Sequence, residues 1–353
     1  MRFTPVFAAV LLVAGCTSAQ PGLGPEINVP AQLSTIQEAV NAAQEGATIV
    51  VSPGVYEESV QVRTKGLTIK GARRGSVIID GESERAAGVV VAAEDVSVQN
   101  LTVRNHTSHG VLISEQRGFR VSYVTSSNNA RFGVQALHAQ NGVIEESYAS
   151  GSGDSGFAVD RCKPCDIVVR GNVAERNAVG YQGTNASGRM FVLGNRFSGN
   201  RVGLTSAAER QEDVTFVGNL VSDNDEALSP AQADGAFGLG MRILTSTKNL
   251  VSRNLITGNP GIGLALSPGQ DSAPTDDRLE SNVIVGNGQN VRYDTDVPRK
   301  KPKAPRGIPS NQVAAPPLQP EMPSDPLPDK APNADKYALP DEDLFDDRAA
   351  VRA

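Results

Sequence analysis

Between positions 131 and 184 the chain gathers side chains able to handle protons and carboxylates: Arg131, Gln135, His138, Asp154, Asp160, Arg161, Gln182 and Thr184. Their spacing makes them a set. Gln135, Ala158 and Gln182 recur every 23 or 24 residues, as do Leu137, Asp160 and Thr184, and as do Arg131, Asp154 and Ala178. A chain that coils with that period stacks each series into a column on one face. Abstraction of a proton alpha to a uronate carboxylate needs a cation to neutralise the carboxylate and a base to take the proton. Arg131 or Arg161 fits the first role and His138 the second, while Asp154 and Asp160 would donate a proton or hold a cation such as Ca²⁺. Gln135, Arg161, Gln182 and Thr184 would then bind substrate. The same groups could instead hold a glycan without chemistry. His106 and His109, in the run Asn105-His-Thr-Ser-His-Gly110, read as turn residues.

The element that must carry these columns is a repeat. Seven times a glycine or close substitute precedes an apolar residue: Gly110-Val111, Gly133-Val134, Gly156-Phe157, Gly180-Tyr181, Gly203-Leu204, Ala227-Leu228 and Gly263-Leu264. The first five intervals are 23 or 24 residues, the range of a solenoid. The segments between turns are short and rich in Val, Ile, Leu, Phe and Thr, which predicts strands rather than helices. Two further columns keep step: Asn100, Tyr123, Ser147, Asn172, Asn195, Asn219, Asn254 and Asn282, then Asn105, Asn128, Ser152, Asn177, Asn200, Asn224, Asn259 and Asn287. Asparagine tolerates the left-handed backbone of tight turns and stacks amide on amide. The excess residues of the two longest coils, at Pro230 to Gly240 and Pro268 to Asp277, are expected to leave one corner together with the Cys162 to Cys165 loop and to wall the charged face.

The opening of this region reads Thr35-Ile-Gln-Glu-Ala-Val-Asn-Ala-Ala43, Gly46-Ala-Thr-Ile-Val-Val-Ser-Pro-Gly-Val-Tyr-Glu57, Leu67-Thr-Ile-Lys-Gly71 and Val77-Ile-Ile-Asp-Gly81. Ser34 or Thr35 can cap a short helix, with Gln37 or Glu38 closing a capping box. With the repeat, these pieces resemble the right-handed parallel β-helix of the pectin-lyase-like superfamily. The resemblance covers residues 31–293 and implies an all-β solenoid of nine or ten coils with a short N-terminal capping helix. It does not choose an activity, because catalytic and non-catalytic proteins share the fold. The motifs Asp-Pro-His and Gly-His-Gly, which mark alginate epimerases and polygalacturonases of this superfamily, are missing. The expectation is therefore a groove that binds a polysaccharide or cell-wall glycan, with uronate-polysaccharide lyase or C5-epimerase activity as the alternative. A third reading follows from the resemblance to exported β-helix proteins of nitrous oxide reductase maturation, in which Cys162, Cys165 and His138 would handle copper.

The chain ends are distinct from the repeat. Residues 1–15 resemble a bacterial lipoprotein signal peptide, and Leu12-Val-Ala-Gly-Cys16 its lipobox, so Cys16 would be acylated and residues 16–30 would link a membrane anchor to the rod. An extracytoplasmic location follows. There a Cys162–Cys165 disulfide is the expected state of Cys-Lys-Pro-Cys. Twelve of the 22 prolines lie between Pro298 and Pro340, so residues 294–353 are expected to form a disordered tail. The net charge of −6 argues against nucleic acid as a partner. A monomer is expected.

Overall fold

The computed structural model describes residues 24–232, 234–267, 278–293 and 319–322. The signal segment, Cys16 and the second insertion, residues 268–277, lie outside them, as does all of the tail but four residues. The chain forms a parallel β-helix of three sheets, with eleven strands in sheet A and ten each in sheets B and C among the described residues. That is one coil beyond the nine or ten expected. The additional strand is Glu26–Val29, which pairs in parallel with Thr48–Val51 and precedes the helix.

The helix Ile36–Ala42 shows how the open end of the core is closed. Thr35 caps it, and Thr35 and Glu38 complete the capping box. The Glu58 carboxylate also accepts from the backbone N–H groups of Ile36 and Gln37, both at 2.9 Å, satisfying donors that a helix start leaves free. Ile36, Ala39 and Val40 are buried in the core. Gln37 covers the edge strand Val60–Val62: its Oε1 accepts from the Gln61 N–H at 2.7 Å and its Nε2 donates to the Gln61 carbonyl at 3.3 Å. A side-chain amide thus stands in for the missing strand partner.

In sheet C the inward column is Val111, Val134, Phe157, Tyr181, Leu204, Met241 and Leu264, each in register with the next. Gly240-Met241 is the sixth repeat, not Ala227-Leu228; Leu228 is 84% exposed. The reason is the place of the insertion. Residues 223–238 fall ahead of the sheet C strand Leu239–Thr247 and push the repeat downstream. The glycine column is steric in origin. A Cβ on Gly133 would lie 2.4 Å from the Gly156 carbonyl oxygen of the next coil, and the other column members face the same contact.

The asparagine ladders run as expected in the later coils and shift by one residue in the earlier ones. Asn172, Asn195, Asn219 and Asn254 each pass an Nδ2–H to the next Oδ1 at 2.9–3.0 Å, the last of them to Asn282. Asn100 and Tyr123 instead hold the left-handed position one residue earlier, with φ of 54° in both, and Leu101 and Val124 point inward there. In the second column Asn105 and Asn128 are likewise the left-handed residues, and the inward rungs are His106 and Asn129. Intervals of 23 and 24 residues concealed the shift. His106 is accordingly a buried turn residue, as read.

Candidate active face on sheet C

The predicted residues Arg131, Gln135, Asp154, Asp160, Gln182 and Thr184 fall on or beside the outer face of sheet C, on the strands Phe132–Leu137, Ser155–Cys162 and Val179–Ala186 and the turns before them. Gln135 stands in register with Ala158 and then Gln182; Asp160 stands in register with Thr184. Gln135 and Asp160 are only 6% and 5% exposed although they face outward, covered by the side chains bonded to them.

Two hydrogen-bonded rows cross the coils. In the first, the Gln135 Nε2–H donates to Asp160 Oδ2 at 2.6 Å, and His109 Nε2 lies 2.8 Å from Gln135 Oε1. The amide's polarity then fixes the imidazole. Gln135 Oε1 can only accept, so His109 carries its proton on Nε2, and its Nδ1 accepts from the Ser108 hydroxyl at 2.8 Å. In the second row the Ser155 hydroxyl donates to Gln182 Oε1 at 3.1 Å, and Gln182 Nε2 donates to Thr184 Oγ1 at 3.1 Å. The His109 ring stacks on Phe132 at 5.3 Å, and the Arg131 guanidinium covers the same ring at 5.1 Å.

Burial sets the charges. It lowers the His109 pKa, with Arg131 adding to the effect against the Gln135 hydrogen bond, so the imidazole is neutral at neutral pH. Burial raises Asp160, and the nearby Asp154 charge adds to the shift, while Gln135 and Thr184 oppose it. Burial also raises Asp154; Arg131, Ser155 and Gln232 pull it back. Arg131 Nη2 stands 3.6 Å from Asp154 Oδ2. A neutral base, two carboxyl groups biased toward the proton-bearing form and a guanidinium therefore share one groove.

His138 and Arg161 are not in these rows. Both are exposed with a left-handed φ, His138 (52°) directly after the strand Phe132–Leu137 and Arg161 (58°) at the end of Ser155–Cys162, and the His138 N–H donates to the Asp160 carbonyl at 2.9 Å. The histidine on this face is His109. It was missed because simple alternation fails at the glycine: strand register passes from His109–Phe132 to Val111–Val134, leaving out Gly110 and Gly133. The residue before each glycine thus faces out, and the column His109, Phe132, Ser155 and Val179 held the signal.

The walls also differ from expectation. Residues 223–238 follow the sheet B strand Leu220–Ser222, on the side of the groove where Arg131 and Asp154 lie. Arg201 fastens this loop, its Nε donating to the Ala236 carbonyl at 3.1 Å and its guanidinium lying 5.0 Å from the Phe237 ring. The Cys162–Cys165 turn leaves the opposite end of the strand, toward the sheet A strand Ile167–Arg170, so the two do not share a corner. Both cysteines are joined in a disulfide. The copper reading needs thiolates, and these sulfurs are bonded to each other. Among the described residues no three His, Cys, Asp or Glu side chains are grouped to hold a metal ion.

Comparison with known proteins agrees with the geometry. No curated protein matches this sequence. The solved A-module of mannuronan C-5 epimerase AlgE4 from Azotobacter vinelandii superposes with a TM-score of 0.51 at 15% identity, covering 74% of this chain and 95% of its own. Pectate lyase Pel9A gives 0.50 at 15% identity over 76% and 78%. Tailspike protein 2 of an Escherichia coli O157:H7 bacteriophage gives 0.54 at 10% identity, where this chain spans 41% of the tailspike and 76% of itself is covered. A family model described as "right handed beta helix region" matches residues 54–221. With three parallel sheets stacked coil on coil through and beyond that match, the chain has the fold of a right-handed parallel β-helix.

Proposed function

We propose that the groove on sheet C binds a polysaccharide segment laid across successive coils. The observation that carries this reading is the pair of hydrogen-bonded rows, His109–Gln135–Asp160 and Ser155–Gln182–Thr184, with Arg131 and Asp154 beside the wall of residues 223–238. Hydroxyls, amides and a cation repeated at a strand spacing of about 4.8 Å suit a polymer of repeating polar units. The superposed epimerase, lyase and tailspike make a glycan the first ligand class to try. Affinity electrophoresis against a panel of neutral and uronate polysaccharides tests it. Retardation by one glycan, lost in Gln182→Ala and Gln135→Ala, is the expected result; equal mobility in every gel refutes it.

A second reading, uronate lyase or C5-epimerase action, is favoured by one specific observation: the neutral imidazole of His109 in the same groove as Arg131 and the proton-biased Asp160. His109 Nδ1, the ring nitrogen without a proton, would take the proton alpha to the carboxylate by way of the Ser108 hydroxyl bonded to it, and Arg131 would neutralise that carboxylate. A rise in ultraviolet absorbance from unsaturated product, abolished by His109→Ala but not by His138→Ala, supports a lyase. Loss of activity only in His138→Ala sinks this assignment.

We also place the rod outside the cytoplasm, tethered through Cys16, on the strength of the lipobox and of a disulfide that an oxidising compartment would maintain. Incorporation of labelled palmitate into the wild-type chain but not into Cys16→Ser is the expected outcome; labelling of both refutes it.

A further inference from the structure

Far from the groove, where sheets A and B meet in the lower coils, four residues of the proline-rich tail lie against the rod. Arg74 forms the seat. Its side chain is only 2% exposed. Nε donates to Thr125 Oγ1 at 3.0 Å and Nη2 to the Val124 carbonyl at 3.1 Å, while the Arg74 carbonyl accepts from the Thr102 hydroxyl at 2.8 Å. The rod thereby fixes the guanidinium but leaves Nη1 and the Arg74 backbone N–H pointing at the tail. Nη1 donates to the Pro320 carbonyl at 2.9 Å and the N–H donates to Glu321 Oε2 at 2.8 Å. Asn100, whose Nδ2 is tied to the Gly71 carbonyl at 2.9 Å, accepts the Met322 N–H on its Oδ1 at 3.1 Å.

We infer that this corner is a peptide-docking slot built to take an acidic, proline-containing segment, and that its resident ligand is the chain's own Gln319–Met322. Four features point to a ligand rather than a chance contact. Each tail residue from Pro320 to Met322 supplies one hydrogen bond of the polarity the slot requires. The Arg74 cation is buried deeply enough for its pKa to fall to about 10, with the charges of Glu146 and Glu321 and the Tyr123 ring opposing that fall. The Tyr123 ring also flanks the seat at 6.0 Å from Arg74 Cζ. Tyr123 and Asn100 are the residues that break the expected asparagine column, so the interruption of the ladder coincides with the slot.

Docking within one chain is within reach. From the last strand of sheet A to the one before Asn100 is seven strand spacings, roughly 34 Å, whereas the residues between Tyr293 and Gln319 can extend roughly 78 Å as polyproline. The intervening residues are thus long enough to bring Gln319–Met322 to the slot of their own chain.

Hydrogen exchange on the full-length protein tests this, with the double variant Glu321→Ala/Met322→Pro, which removes the carboxylate and one N–H without touching the rod. The Arg74 amide is expected to exchange about tenfold or more faster in the variant, as loss of a charge-assisted hydrogen bond requires. A peptide of sequence PPLQPEMPSD, residues 316–325, added above the millimolar effective concentration of a tethered segment, is expected to restore protection. Unchanged Arg74 exchange in the variant overturns the slot, as does failure of the peptide to restore it. Wild-type protection that grows with protein concentration would overturn docking in cis, placing the tail of a second copy there.

Discussion

Removing the amide at the centre of the groove, Gln135→Ala, offers a quantitative check on the relay. Two hydrogen bonds disappear, one to the Asp160 carboxylate at 2.6 Å and one from His109 at 2.8 Å. A bond to a charged group is worth about 1.5–3 kcal/mol and a neutral one about 1 kcal/mol, so the ionised form of the protein should lose about 3 kcal/mol. The pH dependence is the sharper part. Asp160 is raised in the native state, so the native protein holds its proton to higher pH than the unfolded chain. Stability attached to this group is present below the ordinary aspartate range and declines as pH rises through the native value. Gln135 opposes that rise, and its removal pushes the native value further up. In a His109→Ala background, which removes the imidazole whose charged form Gln135 favours, the cost of Gln135→Ala should therefore be about 2 kcal/mol at pH 8 and shrink to about 1 kcal/mol near pH 4, where a protonated Asp160 does not need the donor. Urea denaturation of His109→Ala and of the double variant at the two pH values measures this. A loss that is equal at pH 4 and pH 8, or that grows on acidification, refutes the relay.

The rod itself supports three further tests. Asn219→Ala strips four buried hydrogen bonds, to the Val192 carbonyl, to Asn254 Oδ1 and from two nitrogens of Asn195, and should cost about 4 kcal/mol in urea denaturation. The same change at the terminal rung, Asn282→Ala, should cost no more than about half of that, because the rung is only partly buried. Gly133→Ala drives a Cβ to 2.4 Å from the Gly156 carbonyl and should lower stability by about 3 kcal/mol; a neutral result would mean that coil spacing is softer than the register implies. Reduction of Cys162–Cys165 opens a loop so short that thermal denaturation should register only about 2 kcal/mol, with glycan retention unchanged.

The fold was legible because the forces that define it repeat. Each coil presents the same inward apolar residue and the same glycine under a neighbouring carbonyl, and the later coils the same buried amide, so a period visible between Val111 and Leu204 identifies the solenoid without knowledge of any contact. What was not legible is where the period slips. Residues Asn100, Asn105, Tyr123 and Asn128 sit one place ahead of the rungs because asparagine satisfies two demands, a left-handed φ and an inward amide, and sequence spacing does not tell them apart. The insertion at 223–238 hid for a similar reason. An apolar pair at Ala227-Leu228 imitates the repeat, yet only Gly240-Met241 can stack, since an added Cβ at Gly240 would meet the Gly263 carbonyl at 2.5 Å.

The same reasoning explains which of the predicted residues share one face. Arg131, Asp154, Gln135, Asp160, Gln182 and Thr184 lie in columns that obey the coil period, so their neighbourhood followed from stacking alone. His109 obeys the period too, but its orientation depends on the break in alternation at Gly110, which removes one residue from the pairing and turns the preceding side chain outward. His138 shares a coil with Gln135 and lies three positions on, so alternation would set it on the opposite face; its left-handed turn carries it past the strand end instead. Histidine at such a turn satisfies a backbone requirement, as Arg161 does one coil later. Histidine before the glycine satisfies none, since the apolar Phe132, Val179 and Val202 stand in the equivalent places. A polar residue that the fold does not require, locked by Gln135 into one tautomer, is the better place to look for chemistry on this rod.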